Sequence, residues 1–151
     1  MKTRARLTRT YVLATLAIGV WLTATGVAQG ATHWVSPTGA VPWASCVGTT
    51  PLVGAAACSL ATANANAAAG DLVYLRGGTY NVGGGVGIQP ANSGTSASNM
   101  ITFQAYTGET PTLQNGSDPF WLSGNSYISI KGLTFGDPLS LIHISEPTRP
   151  Y

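Results

Sequence analysis

The side chains best suited to acid–base chemistry lie together near the carboxyl terminus, in the stretch LSLIHISEPTRPY (139–151). His143 is one of only two histidines in the chain, and Glu146 and Arg149 follow it closely. An imidazole beside a carboxylate and a guanidinium has the chemistry to move protons and hold an anion. Whether these groups form a site depends on the elements that position them, and Pro147 interrupts any strand here.

The other ionisable side chains are few and widely spaced. Asp71, Asp118 and Asp137 fall at breaks rich in Gly, Asn and Pro, where aspartate commonly stabilises a turn. Carboxylates this scattered do not supply the converging oxygens that Ca²⁺ needs. Lys131 is either the base of a proton abstraction or a solvated turn lysine, and Arg76 in LRGGTY is interpreted as structural. We therefore assign no catalytic, cofactor-binding or metal-binding residue in this chain.

Cys46 and Cys58 are the only cysteines. An even count in an exported chain favours a disulfide, and a loop this short would contribute about 3 kcal/mol in the chain-entropy model. Two free buried thiols are the alternative. Zinc is a weaker interpretation still, because two isolated cysteines with only His33 nearby lack zinc-site spacing.

The first 30 residues have the layout of a secretory signal peptide. Four cations without an acid precede the apolar run YVLATLAIGVWL, and small residues follow, with cleavage after Ala28 or Gly30. A membrane anchor is the alternative, but Tyr11–Leu22 is short against the roughly 20 apolar residues of a bilayer span. The sequence therefore predicts a secreted, extracellular protein that keeps no membrane contact after cleavage.

Export changes the charge of the mature chain. The whole sequence carries a formal +2, but residues 31–138 hold two basic and four acidic side chains, a net charge of −2. No basic patch remains, so nucleic acid is not expected as a partner.

The elements that would position these residues are short strands separated by glycine-rich turns. From Gly70 onward, DLVYL, MITFQAY and SYISI each begin a cycle of strand, tight turn, strand and longer link. Aligning Val73, Thr102 and Ser129 gives a period of 29 and then 27 residues. This pattern predicts an all-β chain, and a repeat of this length predicts a solenoid or a propeller. The irregular links disfavour the hairpins of propeller blades, leaving a parallel β-helix.

The segment CSLATANANAAAG, just before the first cycle, predicts one short helix. Ser59 or a neighbour would cap its start, Gly70 would end it in a left-handed conformation, and Leu60, Ala63 and Ala67 would share one buried face. A helix here would cap the first coil and keep its open edge from pairing with other chains.

Three stretches resemble a known group. SLATANANAAAGDLVYLRGGTY, NSGTSASNMITFQAYTGETPTL and NSYISIKGLTF resemble the capping helix and successive coils of secreted, right-handed parallel β-helix proteins of the pectate-lyase-like type, and WVSPTG resembles the strand that often precedes them. The resemblance covers about Trp34 to Phe135. It implies a truncated β-helix of two to three coils, with a short N-terminal capping helix, that is a monomer when intact.

The tail departs from that pattern. Residues 139–149 resemble the transposon-end adapter of sequencing libraries, translated in frame. We therefore expect a signal peptide at 1–30, the cap and first coils at 31–138, and a non-native tail at 139–151. His143, Glu146 and Arg149 then carry no catalytic role.

The resemblance implies a polysaccharide-active protein. For the intact protein it implies a lyase that cleaves uronate polymers such as pectin by β-elimination, often with Ca²⁺ neutralising the carboxylate, while this fragment would be inactive. A glycoside hydrolase, which would need paired carboxylates, and a non-catalytic glycan-binding or adhesin-like β-helix are the alternatives. Phe120 and Trp121 are interpreted as core, or else as residues that stack on sugar rings. Asn115 begins a glycosylation sequon or a turn.

Overall fold

The computed structural model describes residues 30–114 and 116–136. The predicted signal peptide as far as residue 29 and the predicted tail lie outside these residues, and so do His143, Glu146, Arg149, Asn115, Asp137 and Pro138.

Short strands rich in β-branched and aromatic residues account for most of the regular structure in the described part of the chain. Their bounds are β1 Thr32–Val35, β2 Leu72–Leu75, β3 Gly78–Asn81, β4 Val86–Ile88, β5 Ile101–Ala105, β6 Pro111–Gln114, β7 Asp118–Phe120, β8 Ile128–Lys131 and β9 Thr134–Phe135. One α-helix, α1 Leu60–Asn66, and two 3-10 turns, Trp43–Ser45 and Gly54–Ala56, lie between β1 and β2. The described residues are thus mostly strands with few helices, in agreement with the all-β prediction.

The strands form three sheets, and every pairing between them is parallel. Sheet A has the order β1-β2-β5-β8, sheet B the order β3-β6-β9, and sheet C pairs β4 with β7. Consecutive strands from β2 onward thus enter different sheets, and each strand pairs with the one three places further along the chain. The predicted strands near Leu72, Ile101 and Ile128 do stack in parallel.

The register of the first repeat differs from the prediction by one residue. Thr102 pairs with Leu72 and Ser129, whereas Val73 pairs with Phe103. The spacing is therefore 30 residues and then 27. A slip of one residue turns a strand over, so pairing Val73 with Thr102 would have set an inward side chain beside an outward one.

The core lies between the three sheets and the helix. Alternate strand residues point inward and are fully buried or nearly so, and each contributes roughly 2 kcal/mol by leaving water. These residues are Val73, Leu75, Ile101 and Phe103 from sheet A, Tyr80 and Leu113 from sheet B, and Ile88 from sheet C.

Helix α1 begins as predicted but ends early. The Ser59 hydroxyl accepts a hydrogen bond from the Thr62 backbone N–H at 3.1 Å, and Leu60, Ala63 and Ala67 are buried. The C-cap is Ala67, and Gly70, with φ of +90°, belongs to a separate turn before β2. The run of three alanines from Ala67 to Ala69 therefore does not extend the helix, and the expected glycine cap was wrong.

The disulfide between Cys46 and Cys58 is present, as predicted, with a Cα–Cα distance of 5.5 Å. It joins the two segments that cover the outer edge of β1. The Trp34 N–H donates to the Cys46 carbonyl at 2.9 Å, and the Trp34 carbonyl accepts from the Cys58 N–H at 2.9 Å. The edge strand of sheet A is thus hydrogen-bonded on both sides and closed to other chains.

Gly39 allows the loop after β1 to lie against this disulfide. A Cβ atom at this position would overlap the Cys58 carbonyl group. Any other residue would push the loop away from the segment that pairs with β1.

Candidate functional site

The outward face of sheet A is the first candidate surface. It consists of the outward side chains of β2, β5 and β8, which are Leu72, Tyr74, Thr102, Gln104, Ser129 and Lys131. The register places Tyr74, Gln104 and Lys131 in one row across neighbouring strands. Parallel strands lie about 4.8 Å apart, so an extended polymer could contact all three.

An aromatic cluster closes one end of this row. The ring centroids of Trp34 and Tyr74 lie 5.0 Å apart in a stacked arrangement, and Tyr106 meets Trp34 edge-on at 5.1 Å. Trp34 is buried and donates its indole N–H to the Gly48 carbonyl at 2.8 Å, whereas Tyr74 and Tyr106 are partly exposed. The cluster therefore anchors β1 and presents two tyrosines to solvent.

Arg76, interpreted from the sequence as structural, is held by three groups. It forms an ion pair with Glu109, donating from Nε to Oε2 at 2.9 Å, and it donates from Nη1 to the Leu52 carbonyl at 2.8 Å. Its guanidinium also lies 5.0 Å from the Tyr106 ring centre. The guanidinium holds the pKa of the Glu109 carboxyl below its ordinary value. Glu109 is thus an ion-pair partner, and its carboxylate is already occupied.

Asp71 also has a structural role, as predicted. One carboxylate oxygen accepts from the Ala31 N–H and the other from the Ala68 N–H, both at 2.9 Å. The side chain is buried and joins the start of β1 to the turn after α1.

Asp118 was expected in a turn, but it is the first residue of β7. It lines a small hollow of about 40 Å³ together with Leu113 and Phe135. The parallel pairing of Val86 with Asp118 places Asp118 inside the strand.

His33 is buried against the disulfide. Its ring stacks on Trp43 with centroids 3.6 Å apart, and Nδ1 lies 3.8 Å from the Cys46 sulfur. Burial lowers the pKa of His33, and the negative charge of Asp71 opposes this effect. The imidazole is therefore a neutral side chain that packs between β1 and the segment around Trp43.

Phe120 and Trp121, interpreted as core, are instead exposed at 47% and 51% of their surface. Phe120 pairs with the buried Ile88 and so lies on the core-facing side of sheet C, but within residues 30–114 and 116–136 no further strand stacks on β7 to cover it. Phe120 turns toward Phe135, with ring centroids 6.1 Å apart. Trp121 instead lines a shallow cleft of about 490 Å³, the Trp121 cleft, with Gln89, Pro90, Ala91, Ser93, Ser123, Gly124 and Asn125.

Two asparagines that the sequence interpretation missed organise this cleft. The Asn125 carboxamide donates to the Pro90 and Asn92 carbonyls at 3.1 and 3.0 Å, and Asn92 donates to the Ala67 carbonyl at 2.9 Å. Asn92-Ser93 and Asn125-Ser126 recur 33 residues apart, which was the available signal.

The described residues do not bring a metal site together. Between residues 30 and 136, Asn115 aside, no three His, Cys, Asp or Glu side chains converge. Asp71 and Glu109 are engaged as described above, so these residues do not fit a calcium site. Within the same residues, no helix is long and apolar enough to span a bilayer.

Comparison with protein-family models, with curated proteins and with solved structures found no match to this chain. Its function must therefore be inferred from its own residues and their geometry.

Proposed function

We propose that this chain belongs to a secreted, polysaccharide-active protein built as a right-handed parallel β-helix with α1 as its N-terminal cap. The pairing of each strand with the one three places further along supports a coil of three strands per turn. The burial of Leu60, Ala63 and Ala67 against the first coil supports the capping role of α1. The secretory layout of residues 1–30 supports export.

The outward face of sheet A is the surface proposed to contact the polymer. The observation that carries this proposal is the in-register row of Tyr74, Gln104 and Lys131. An aromatic ring, an amide and an ammonium group at strand spacing suit a chain of sugars that carries carboxylates. The exposed Lys131 has no carboxylate partner among the described residues, so its charge is available to a ligand.

The chemistry proposed for the whole protein is β-elimination on a uronate polymer such as pectin. In that reaction a base removes the proton beside the carboxylate, and the glycosidic oxygen leaves as the double bond forms. Lys131 would bind the uronate carboxylate and offset its charge. The base is assigned to no described residue, since the guanidinium of Arg76 is engaged by Glu109.

Binding to polygalacturonate tests the surface. Lys131→Gln should weaken binding several-fold and reduce its salt dependence, because it removes the free cation of the row. Lys131→Arg, which keeps the charge, is the matched control and should bind nearly as the parent does. Calorimetric titration of the secreted chain measures both, and equal affinity in Lys131→Gln would refute the surface.

A non-catalytic glycan-binding role is the second candidate. It is favoured by the engagement of Asp71 and Glu109 in structural hydrogen bonds, which leaves neither carboxylate to act as a base. Release of unsaturated sugars from polygalacturonate by the intact protein would establish the lyase. Binding without release would establish the second role.

A further inference from the structure

We infer that the Trp121 cleft is a second polysaccharide-binding site, and that it takes an uncharged stretch of sugar rather than a uronate. It lies where sheet C turns back toward sheet A, between the links that follow β4 and β7. It depends on the proposed function only for the class of ligand, a polysaccharide, and none of its lining residues belongs to the outward face of sheet A.

The cleft presents an aromatic platform beside polar groups. Trp121 is 51% exposed, although its backbone N–H is held by the Ile88 carbonyl at 2.9 Å. An indole of this exposure keeps a large apolar surface in water, and covering it with a ligand is favourable. The C–H face of a sugar ring is apolar while its rim carries hydroxyls, so it matches an indole flanked by hydrogen-bonding groups.

The polar part of the lining consists of amides and hydroxyls, namely Gln89, Ser93, Ser123 and Asn125. Gln89, Ser93 and Ser123 can donate to and accept from sugar hydroxyls, whereas Asn125, whose two N–H groups are engaged by Pro90 and Asn92, can accept through Oδ1. No residue that lines the cleft is charged. A uronate carboxylate placed here would lose water without gaining a cation, which is unfavourable. An uncharged polymer has no such penalty, so the cleft selects neutral sugars.

The cleft is fixed in shape before a ligand binds. Asn125 ties the second link to Pro90 and Asn92 of the first, and the Ser126 N–H donates to the Ser93 hydroxyl at 3.1 Å. The Gly94 N–H also donates to the Ser126 carbonyl at 2.9 Å. A preformed site loses less conformational entropy on binding than one that must be ordered.

A protein partner is the competing occupant, because exposed tryptophan is also common at protein interfaces. The lining argues for sugar, since Trp121 is the only large apolar side chain in it and the rest is small or polar. Protein interfaces usually surround such an anchor with further apolar contacts.

The test uses the full secreted chain and three variants, each checked for folding by circular dichroism. Trp121→Ala removes the platform and Trp121→Phe retains an aromatic ring. Phe120→Ala is the matched control, because Phe120 is similarly exposed but faces Phe135 outside the cleft. The probes are cellohexaose, xylohexaose and mannohexaose, with polygalacturonate as the charged comparison, and calorimetric titration is run at low and high salt.

At least one neutral hexasaccharide should bind, with an affinity that salt does not change. Trp121→Ala should bind the neutral hexasaccharide about tenfold more weakly or worse, which corresponds to the loss of one good aromatic contact. The affinities of Trp121→Phe and Phe120→Ala should stay close to that of the parent. Lys131→Gln should leave neutral binding unchanged. Absence of neutral binding, an unchanged affinity in Trp121→Ala, or Trp121-dependent self-association in sedimentation would overturn the inference.

The two proposals fail in distinguishable ways. Lys131-dependent binding of polygalacturonate without any neutral binding refutes the Trp121 cleft and leaves the proposed function standing. Neutral binding that depends on Trp121, without polygalacturonate binding, supports the cleft and refutes the uronate surface. Binding of neither polymer refutes both.

Discussion

At the scale of single residues, ionisable side chains are used mainly to hold the chain together. Asp71 joins β1 to the turn after α1, and the ion pair of Arg76 with Glu109 joins the turns after β2 and β5. Lys131 is the cation left without such a role in the described residues. Binding of a charged ligand should therefore respond to Lys131, whereas changes to Asp71 or Glu109 should lower stability first.

His33 makes stability depend on pH. Its pKa is lowered in the folded protein by burial, so the unfolded chain binds a proton more readily near the ordinary value of 6.5. The stabilisation is complete above that pH and is lost as the pH falls from about 6.5 toward the lower folded pKa. The urea concentration at the midpoint of unfolding should therefore decrease as the pH is lowered from about 8 to about 5.

His33→Phe should flatten that pH dependence while keeping the stack on Trp43. Urea unfolding of both proteins at several pH values measures the effect, with His143→Gln as the control for the other histidine. A decline of equal size in His33→Phe would show that another group is responsible.

At the scale of elements, sequence patterns predicted the features that depend on residues close together in the chain, such as the start of a helix or the position of a strand. An N-cap at Ser59 or a neighbour could be predicted because a capping hydroxyl acts within one turn, and the strands followed from alternation bounded by glycine. Gly70 was misplaced because a glycine near a helix end does not say which turn uses its positive φ. Phe120 and Trp121 were misplaced because an apolar strand residue is buried only when another element covers it.

The element with the largest expected effect on stability is the disulfide-bonded loop over β1. Replacing both Cys46 and Cys58 by alanine should lower the free energy of unfolding by about 3 kcal/mol. The same change should speed hydrogen exchange of the Trp34 and Cys58 amides, since the two covering segments are no longer tied.

Chemical denaturation and exchange measured by mass spectrometry test this expectation. Val47→Ala, an exposed change in the same loop, should stay within about 0.5 kcal/mol of the parent. A double alanine variant as stable as the parent would mean that the backbone hydrogen bonds alone close the edge.

At the scale of the whole molecule, repetition was visible in the sequence but its three-dimensional consequences were only partly so. The cycle of strands predicted parallel stacking, and applying alternation to Val73 and Phe103 would have corrected the register. The contact of Arg76 with Glu109 had a signal too, since both follow corresponding strands of successive repeats. The Trp121 cleft had no signal in the sequence beyond the two Asn-Ser pairs, because predicting it requires knowing which faces of the strands stay uncovered.

A stack in which each strand touches only its neighbours should show graded protection. β2 and β5 are paired on both sides, whereas β8 and β9 have a strand partner on one side within residues 30–136. Phe103 is fully buried and Ile130 only partly. Backbone amides of β2 and β5 should therefore exchange much more slowly than those of β8 and β9. Uniform exchange across sheet A, measured by nuclear magnetic resonance, would instead indicate a single cooperative unit.

Because the outer edge of β1 is covered, strands can be added to sheet A on one side only. Because Cys46 and Cys58 cover that edge, new strands can join sheet A only beyond the opposite edge. A chain synthesised from its amino terminus would complete the covered edge of β1 before later strands form, and each finished layer would template the next. Duplication of one repeat during evolution would then lengthen the protein, and the disulfide-bonded segments that cover β1 would not need to change.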